Sequence, residues 1–280
     1  MFSQSLRFRK LAKNLPSLFS VKHGVYDIPV SQNATQLGLG LIGIGKPWGH
    51  VPRSVPSEPE ARALLDFAYE LGIRYFDTAP SYGDGVSEER LGGFLRSMPA
   101  GQRVGVVAAT KMGEHWDRSK GEPYADHSFD ALRRSLDRSL ARMGRIDILQ
   151  LHKTTPEALR SDQVARAWEY ARSLGIARVG PSVSDLESAR IAVQTPAFSV
   201  VQFPFNRGNP KFAPVLEMAA ARGMWIAVNR PFAMGAMVDS GAFRFILGHP
   251  FTGVILTGTT SKEHLRENWN AFLTAAAECR

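Results

Sequence analysis

Four reactive side chains stand at or just beyond the ends of three apolar runs in this sequence. The run IRYF ends on Asp77 and is followed by Tyr82, and the runs RVGVVAATK and IDILQLH end on Lys111 and His152. A phenol has a pKa of about 10 and keeps its proton at neutral pH. A nearby ammonium favours the phenolate, a carboxylate keeps that ammonium charged, and an imidazole can hydrogen-bond a carbonyl oxygen. Together these groups predict a pocket that protonates a carbonyl group during its reduction, with a hydride supplied by a cofactor.

The elements around these residues must bring several strand ends to one place. From Leu37 onward the sequence alternates about eight apolar strand patterns with amphipathic helix patterns. Among the helix starts, Ser57 and Ser87 are candidate N-caps, and Gly72 follows the end of the first helix. The strand patterns are nearly continuous apolar runs, which is typical of strands covered on both faces. We therefore expect an α/β fold, a single (β/α)8 TIM barrel, with its active site at the C-terminal ends of the strands.

The alternative to a barrel is a doubly wound open sheet. No G-x-G-x-x-G motif follows the first strand pattern and opens a helix, and glycines instead alternate along LGLGLIGIG, where they allow close approach to a ligand or to a crowded barrel interior. No Pro-rich or Ser-rich linker divides the chain, so residues 25–280 are expected to form one barrel domain. The segment VYDIPVSQNATQ predicts an N-terminal hairpin with its turn near Asn33 and Ala34, positioned to close the bottom of the barrel.

The composition limits the classes of partner. The net charge of +8 suits an acidic or phosphorylated ligand and would also suit nucleic acid. The densest basic stretch, from Arg133 to Arg145, has no interleaved aromatic residues and is typical of a solvated helix face, so no nucleic-acid partner is expected. No apolar run reaches the roughly 18–20 residues that span a bilayer, so no membrane partner is expected either.

A single cysteine, Cys279, is present. It allows no disulfide within the chain and no metal site built on thiolates, which favours a reducing, cytoplasmic compartment and no metal. Residues 1–24 contain basic residues and no acids, which predicts a basic N-terminal extension. An organellar transit peptide is the alternative interpretation of that segment.

Three motifs resemble those of the aldo-keto reductase superfamily in type, order and spacing: FDTAPSYGDGVSEERLGGFL, the strand ending AATK and the strand ending LQLH. The likeness extends from about Leu37 to about Phe272. It implies Tyr82 as the general acid, Lys111 and Asp77 as the residues that tune it, and His152 as the residue that orients the substrate carbonyl. It also implies a nicotinamide cofactor, usually NADPH, bound at the C-terminal face of the barrel without a Rossmann fold.

The same resemblance implies nicotinamide contacts at later strand ends. Ser182 and Gln202 match positions that hold the nicotinamide carboxamide, but Val183 stands where an asparagine is usual. Asn229 replaces the aromatic residue that often stacks on the nicotinamide face. Arg230 replaces a serine, and a stacked arginine would compensate for the missing aromatic ring.

Further matches lie in the last two strand–helix units. Pro231 and Gly235 match the segment after strand seven, and the closing segment GTTSKEHLRENWNAF resembles the phosphate-binding loop and helix, where backbone N–H groups form an anion site. His264 stands where many members place an arginine for the 2′-phosphate, and Asn268 matches the residue near the adenine. NADP is therefore the expected cofactor, with NAD as the alternative. The candidate contacts of the closing segment are Gly258, Thr259, Thr260, Ser261, Lys262, His264 and Asn268.

Aromatic residues after two of the strands, Trp48 and Trp116, are expected to form walls of a substrate pocket. The sequence thus predicts an NAD(P)H-dependent oxidoreductase that acts on a small aldehyde or ketone. Two alternatives stay open. One is a nucleotide-binding, redox-sensing regulatory protein with little turnover, which the substitutions at Val183 and Asn229 would suit. The other is a barrel lyase in which Lys111 forms a Schiff base with its substrate.

Overall fold

The computed structural model describes residues 20–22, 25–27, 35–49, 54–236 and 241–279. Twelve strands lie in these residues, eight of them in one sheet. In chain order the strands are β1 (Ser20–Lys22), β2 (Val25–Asp27), β3 (Thr35–Gly40), β4 (Tyr75–Asp77), β5 (Val107–Met112), β6 (Glu114–Asp117), β7 (Glu122–Ala125), β8 (Ile148–Leu151), β9 (Arg178–Pro181), β10 (Val200–Pro204), β11 (Trp225–Asn229) and β12 (Gly253–Thr257).

Helices follow the strands of the large sheet. The α-helices among the described residues are α1 (Glu58–Leu71), α2 (Val86–Ser97), α3 (Ala100–Arg103), α4 (Phe129–Met143), α5 (Pro156–Arg160), α6 (Asp162–Ser173), α7 (Leu186–Gln194), α8 (Ala213–Ala221), α9 (Gly241–Leu247) and α10 (Lys262–Glu278). Short 3-10 helices lie at Ile42–Ile44, Pro210–Phe212 and Ala233–Gly235. Among the described helices, none is long and apolar enough to cross a bilayer.

The eight-stranded sheet closes on itself as a parallel barrel. Its strand order is β10-β11-β12-β3-β4-β5-β8-β9, and every neighbouring pair is parallel. A further parallel bridge joins Ser182, just after β9, to Gln202 of β10. This bridge joins the two outer strands of the order, so the predicted (β/α)8 barrel is confirmed and the open doubly wound sheet is excluded.

Side chains of the barrel strands alternate between the interior and the surrounding helices, as the pleat requires. The rings of Tyr75 and Trp225 stack inside the barrel with centroids 6.1 Å apart. The interior apolar cluster comprises Tyr75, Val107, Ala109, Ile148, Val200, Trp225, Ala227, Val254 and Leu256. Two positions further along four of these strands, the same alternation presents polar side chains: Asp77, Lys111, Gln150 and Gln202. The apolar cluster therefore fills the barrel interior directly below the polar side chains, and we call it the barrel floor.

The predicted caps of the first two helices have different outcomes. Ser57 precedes α1, and both its backbone N–H and its hydroxyl donate to the Glu60 carboxylate, while Gly72 ends the helix with φ +110°. Ser87 is not a cap. It lies inside α2, which begins after Gly85, and its buried hydroxyl donates to the carbonyl of Leu41 at 2.9 Å. The sequence pattern predicts a cap at this serine, but its hydroxyl instead bonds a carbonyl 46 positions away in the chain.

An N-terminal hairpin is present. Its second strand, β2, forms the start of the expected segment VYDIPVSQNATQ, and its first strand, β1, lies upstream of that segment. β1 and β2 pair antiparallel, with Ser20 opposite Asp27, so β1 falls within the predicted basic extension. The turn expected near Asn33 and Ala34, and the rest of the extension up to residue 19, lie outside the described residues. A second hairpin, β6 and β7, follows Lys111 and stands at the top of the barrel.

Candidate active site

A buried ammonium group lies at the centre of the polar cluster above the barrel floor. Lys111 Nζ donates to Asp77 Oδ1 at 2.5 Å, to the carbonyl of Thr78 at 2.8 Å and to the Tyr82 hydroxyl at 3.4 Å. The side chains of Lys111 and Asp77 are 2% and 5% exposed. The His152 ring stands edge-on to the Tyr82 ring, with centroids 6.2 Å apart. The structure thus brings together the four residues that the sequence placed at three strand ends.

Asp77 accepts hydrogen bonds from amide groups on two other strands, β8 and β10. Gln150 Nε2 and Gln202 Nε2 each donate to Asp77 Oδ2 at 3.2 Å. The Ser182 hydroxyl in turn donates to Gln202 Oε1 at 2.7 Å. Both carboxylate oxygens therefore accept hydrogen bonds, so neither is left without a partner in this buried position. Ser182 and Gln202, expected as cofactor contacts, also belong to the network that supports Tyr82.

For Tyr82, Lys111 and His152, burial and a neighbouring opposite charge shift the pKa in opposite directions. Burial raises the pKa of Tyr82, and the Lys111 charge opposes that rise. Burial alone would lower the pKa of Lys111, but the charges of Asp77 and Tyr82 outweigh it and leave that pKa above its ordinary value. Burial lowers the pKa of His152, against the pull of Glu114. At neutral pH the cluster therefore holds a protonated phenol beside an ammonium and a neutral imidazole.

A second carboxylate stands behind His152. Glu114 Oε2 lies 3.0 Å from His152 Nδ1 and accepts a short hydrogen bond from the Ser81 hydroxyl, and Glu114 Oε1 lies 3.1 Å from Lys153 Nζ. Burial alone would raise the pKa of Glu114, yet these three partners hold it well below its usual range. With Nδ1 facing this carboxylate, Nε2 is the ring nitrogen left to face the cavity. A neutral ring that donates Nδ1–H to Glu114 has only a lone pair at Nε2, so the ring donates from Nε2 to a carbonyl oxygen only when it is protonated.

The loop that carries Tyr82 depends on close backbone contact. Gly83 has φ +71°, and a Cβ there would lie 2.0 Å from the carbonyl oxygen of Gly45. Below the loop, Arg142 donates to the buried carboxylate of Glu88 at 3.0 Å and so ties α4 to α2. Any side chain at Gly83 would push the two loops apart, so the glycine keeps Tyr82 in place.

The cluster opens into a cavity of about 890 Å³ at the C-terminal ends of the strands. That volume suits a cofactor and a small substrate. The predicted site residues in its wall are Trp48, Asp77, Tyr82, Lys111, His152, Ser182, Gln202, Arg230, Pro231, Gly258, Thr259, Thr260, His264 and Asn268. The strand ends thus bring most of the predicted site to one cavity.

Three predicted site residues are not part of that wall. The Ser261 hydroxyl caps α10 by accepting a backbone N–H of its first turn. Lys262 points its ammonium over the ring of Phe67, 5.8 Å from the centroid. Trp116 lies on β6, where the ammonium of Lys46 stands 5.8 Å from its ring centroid. The rotation of α10 sets the directions of Ser261 and Lys262, and the position of the β6–β7 hairpin sets that of Trp116. All three side chains therefore face neighbouring helices or loops.

Some residues that support or line the cavity are absent from the predicted site residues. Gln150 lies two positions before His152 on one strand, so the period of two was a usable signal for it. Glu114 lies three positions after Lys111, and only the β6–β7 hairpin turns it back toward His152. Lys46 lies in the loop after β3, two positions before Trp48, and the sequence predicts this loop as a pocket wall through Trp48 without assigning Lys46 a role.

A model of the aldo/keto reductase family matches residues 36–241, which include Asp77, Tyr82, Lys111 and His152. The chain belongs to the aldo/keto reductase family. Family members are oxidoreductases that use NAD(P)H, so this membership supports carbonyl reduction by the chain.

Individual relatives match over different lengths. The structure of PA4992, a putative aldo-keto reductase from Pseudomonas aeruginosa, has a TM-score of 0.74 and 30% identity and covers 85% of this chain and 89% of its own. The uncharacterized oxidoreductase YqkF of Bacillus subtilis is 26% identical over 297 residues, with 89% of this chain and 90% of the relative covered. D-threo-aldose 1-dehydrogenase of a Pseudomonas species is 36% identical over 176 residues, which cover 53% of this chain and 50% of the relative.

The cavity residues of this aldo/keto reductase fit a nicotinamide dinucleotide. At one end, the Asn229 Oδ1 atom is buried and has no hydrogen-bond partner among the described residues, so it can accept an amide N–H. The backbone N–H of Val183 is already donated to the Gln202 carbonyl and is not available. At the other end, α10 begins at Lys262 beside the wall residues 258–260, and a helix start attracts phosphate.

Proposed function

We propose that this aldo/keto reductase reduces an aldehyde or ketone to an alcohol with NADPH, or less favourably NADH, and that Tyr82 protonates the carbonyl oxygen. The observation that carries the proposal is the buried chain Asp77–Lys111–Tyr82, which opens on the cavity beside His152. Such a chain is a proton donor set in place before the substrate arrives, which is the arrangement that lowers a barrier without reorganisation.

The protein residues have distinct roles in this reaction. The bound nicotinamide supplies the hydride. Tyr82 keeps its proton until the carbonyl oxygen gains negative charge, and the Lys111 ammonium at 3.4 Å stabilises the phenolate that remains. Asp77 keeps Lys111 charged and oriented. His152, with Glu114 behind Nδ1, donates from Nε2 to the carbonyl oxygen in its protonated form, which the Glu114 carboxylate favours.

The residues proposed to hold the cofactor divide between its two ends. Ser182, Gln202 and Asn229 would hold the nicotinamide amide, since they combine a hydroxyl, an amide and an unpartnered acceptor in one part of the wall. The loop before α10 would hold phosphate through its backbone N–H groups. His264 and Asn268 would meet the 2′-phosphate and the adenine.

The Schiff-base lyase is disfavoured by the state of Lys111. An amine attacks a carbonyl only when it is uncharged, but Asp77 at 2.5 Å keeps the pKa of Lys111 raised. The complete network around Tyr82 likewise supports turnover over a purely regulatory role.

The deciding experiment is Tyr82→Phe. We expect NADPH-dependent reduction of a panel of aldehydes, ketones and aldoses to fall by at least about 10²–10⁴-fold, the usual contribution of a general acid. The dissociation constants of NADPH and NADH, measured by fluorescence, should change little, because the hydroxyl is a substrate contact.

Tyr124→Phe is the matched control. Tyr124 is an exposed tyrosine of β7, so the same hydroxyl is removed outside the cavity and activity should be retained. Unchanged turnover in Tyr82→Phe would remove Tyr82 from the reaction. Tight nucleotide binding by the wild-type protein without turnover on the whole panel would favour the regulatory alternative.

A further inference from the structure

The lysines that line the cavity differ in their partners. Lys111 has the Asp77 carboxylate at 2.5 Å, and Lys153 has the Glu114 carboxylate at 3.1 Å. Lys46 is half-buried in the same wall, and no carboxylate of the described residues lies within 4.0 Å of its ammonium. The positive charge of Lys46 therefore has no close carboxylate among the described residues to neutralise it. The side chain is also partly shielded from water.

Glu114 faces Lys46 but is already occupied. Its Oε2 atom serves the Ser81 hydroxyl and His152 Nδ1, and its Oε1 atom serves Lys153. Burial lowers the pKa of Lys46, and the Glu114 charge only opposes that effect from a distance. This part of the cavity therefore carries an excess of positive charge, which favours an anion.

The position of Lys46 indicates which molecule would bring that anion. Its ammonium stands 5.9 Å from the ring centroid of Tyr82 and 5.8 Å from that of Trp116. It thus lies near the rings of Tyr82 and Trp116, in the loop after β3. The residues proposed to hold the cofactor lie at or beyond the C-terminal ends of four other strands, β9 to β12.

We propose that Lys46 binds an anionic group, a carboxylate or a phosphate ester, that the carbonyl substrate carries a few bonds from its carbonyl carbon. This inference rests on the proposed carbonyl reduction, and it narrows the substrate class to short anionic aldehydes or ketones. The two flanking rings stabilise the ammonium by cation–π attraction, and an anion in the cavity would accept hydrogen bonds from its N–H groups.

The test compares two aldehydes of nearly equal shape, para-carboxybenzaldehyde and its uncharged methyl ester, with NADPH. Wild-type protein should prefer the acid. Lys46→Met should lower kcat/KM for the acid by at least about tenfold, the factor expected for one charge-assisted hydrogen bond, and leave kcat/KM for the ester nearly unchanged. Lys46→Arg should keep most of the preference. Glyceraldehyde phosphate against glyceraldehyde repeats the comparison for a phosphate ester.

Lys120→Met is the matched control, because Lys120 is an exposed lysine in the turn between β6 and β7. Removing its charge should leave the preference for the acid intact. An equal loss for acid and ester in Lys46→Met would overturn the proposal. It would also be overturned by a matching loss of NADPH affinity, since Lys46 would then serve the cofactor, or by a wild-type protein that does not prefer the acid.

A binding measurement separates this inference from the proposed function. Calorimetry with the product alcohol, para-(hydroxymethyl)benzoate, and its methyl ester, with and without NADP, requires no turnover. Lys46-dependent preference for the acid in a protein that reduces neither aldehyde would support the anion site and contradict the proposed function. Tyr82-dependent reduction of both aldehydes without any acid preference would do the reverse.

Discussion

The two ends of the cavity are built in different ways. At the reacting end, the side chains of Asp77 and Lys111 are almost fully buried, and their polar atoms bond to one another. At the proposed cofactor end, Arg230 and His264 are exposed, and the Oδ1 atom of Asn229 has no hydrogen-bond partner among the described residues. A proton donor must be in place before the substrate arrives, whereas a binding surface completes its contacts with the ligand. The effects of substitutions at the reacting end should therefore spread through a network, and those of substitutions at the exposed cofactor positions Arg230 and His264 should stay local.

The largest effect is expected for Lys111→Met. It leaves the Asp77 carboxylate buried without its ion partner, and such a change costs about 3–5 kcal/mol in the free energy of unfolding. Reduction should also fall steeply, and its alkaline limb should move to higher pH, because the Lys111 charge lowers the pKa of Tyr82. Denaturant unfolding and a pH–rate profile measure the two effects.

The pH dependence of stability gives a second readout on the same residue. Folding raises the pKa of Lys111, so its stabilising contribution is complete below the ordinary value of 10.5 and declines as pH rises toward the folded value. The double variant Asp77→Asn with Lys111→Met should recover part of the lost stability, because no unpaired charge remains. A Lys111→Met protein as stable as wild type would contradict the description of this end as a network.

A smaller effect is expected for Glu114→Gln, where Glu114 acts as a positioning residue for His152. The Glu114 charge supports the protonated imidazole, so its removal should lower the pKa of His152 further and move the limb of the kcat/KM profile that titrates with His152 to lower pH. Turnover should fall about tenfold, consistent with loss of one interaction to a charged group. Histidine titration by NMR and the pH–rate profile are the measurements. Glu122→Gln, an exposed glutamate of β7, should change neither, and a merely structural role for Glu114 would leave both profiles in place.

The smallest effect is expected at the cofactor end, for His264→Ala. Exposed charge contacts contribute about 0–1 kcal/mol, so the ratio of NADPH to NADH dissociation constants should shift by no more than a few-fold. The free energy of unfolding should stay within about 0.5 kcal/mol of wild type. Lys262→Met is the control, because that ammonium lies over Phe67 and not in the cavity wall. An equal shift of the ratio in both variants would mean that His264 does not meet the 2′-phosphate.

Some parts of the site followed from local pattern alone. Strand ends, alternation and helix periodicity each depend on a few consecutive residues, so eight strand–helix units and the reactive residues Asp77, Lys111 and His152 were predictable from the chain. The cap at Ser57 and the stop at Gly72 are local in the same sense, and the structure confirms both. Ser87 shows where local pattern fails, because a partner 46 positions away decides its role.

The sequence by itself determined the barrel and the positions of the reactive side chains at its strand ends, because both depend on short-range periodicity. Only the tertiary structure decided which groups support those side chains. Strand register places Gln150 and Gln202 on Asp77, and the β6–β7 hairpin returns Glu114 to His152. The rotation of α10 turns Lys262 away from the cavity, and the loop after β3 brings Lys46 beside Tyr82. These contacts join residues distant in the chain, so no local spacing encodes them.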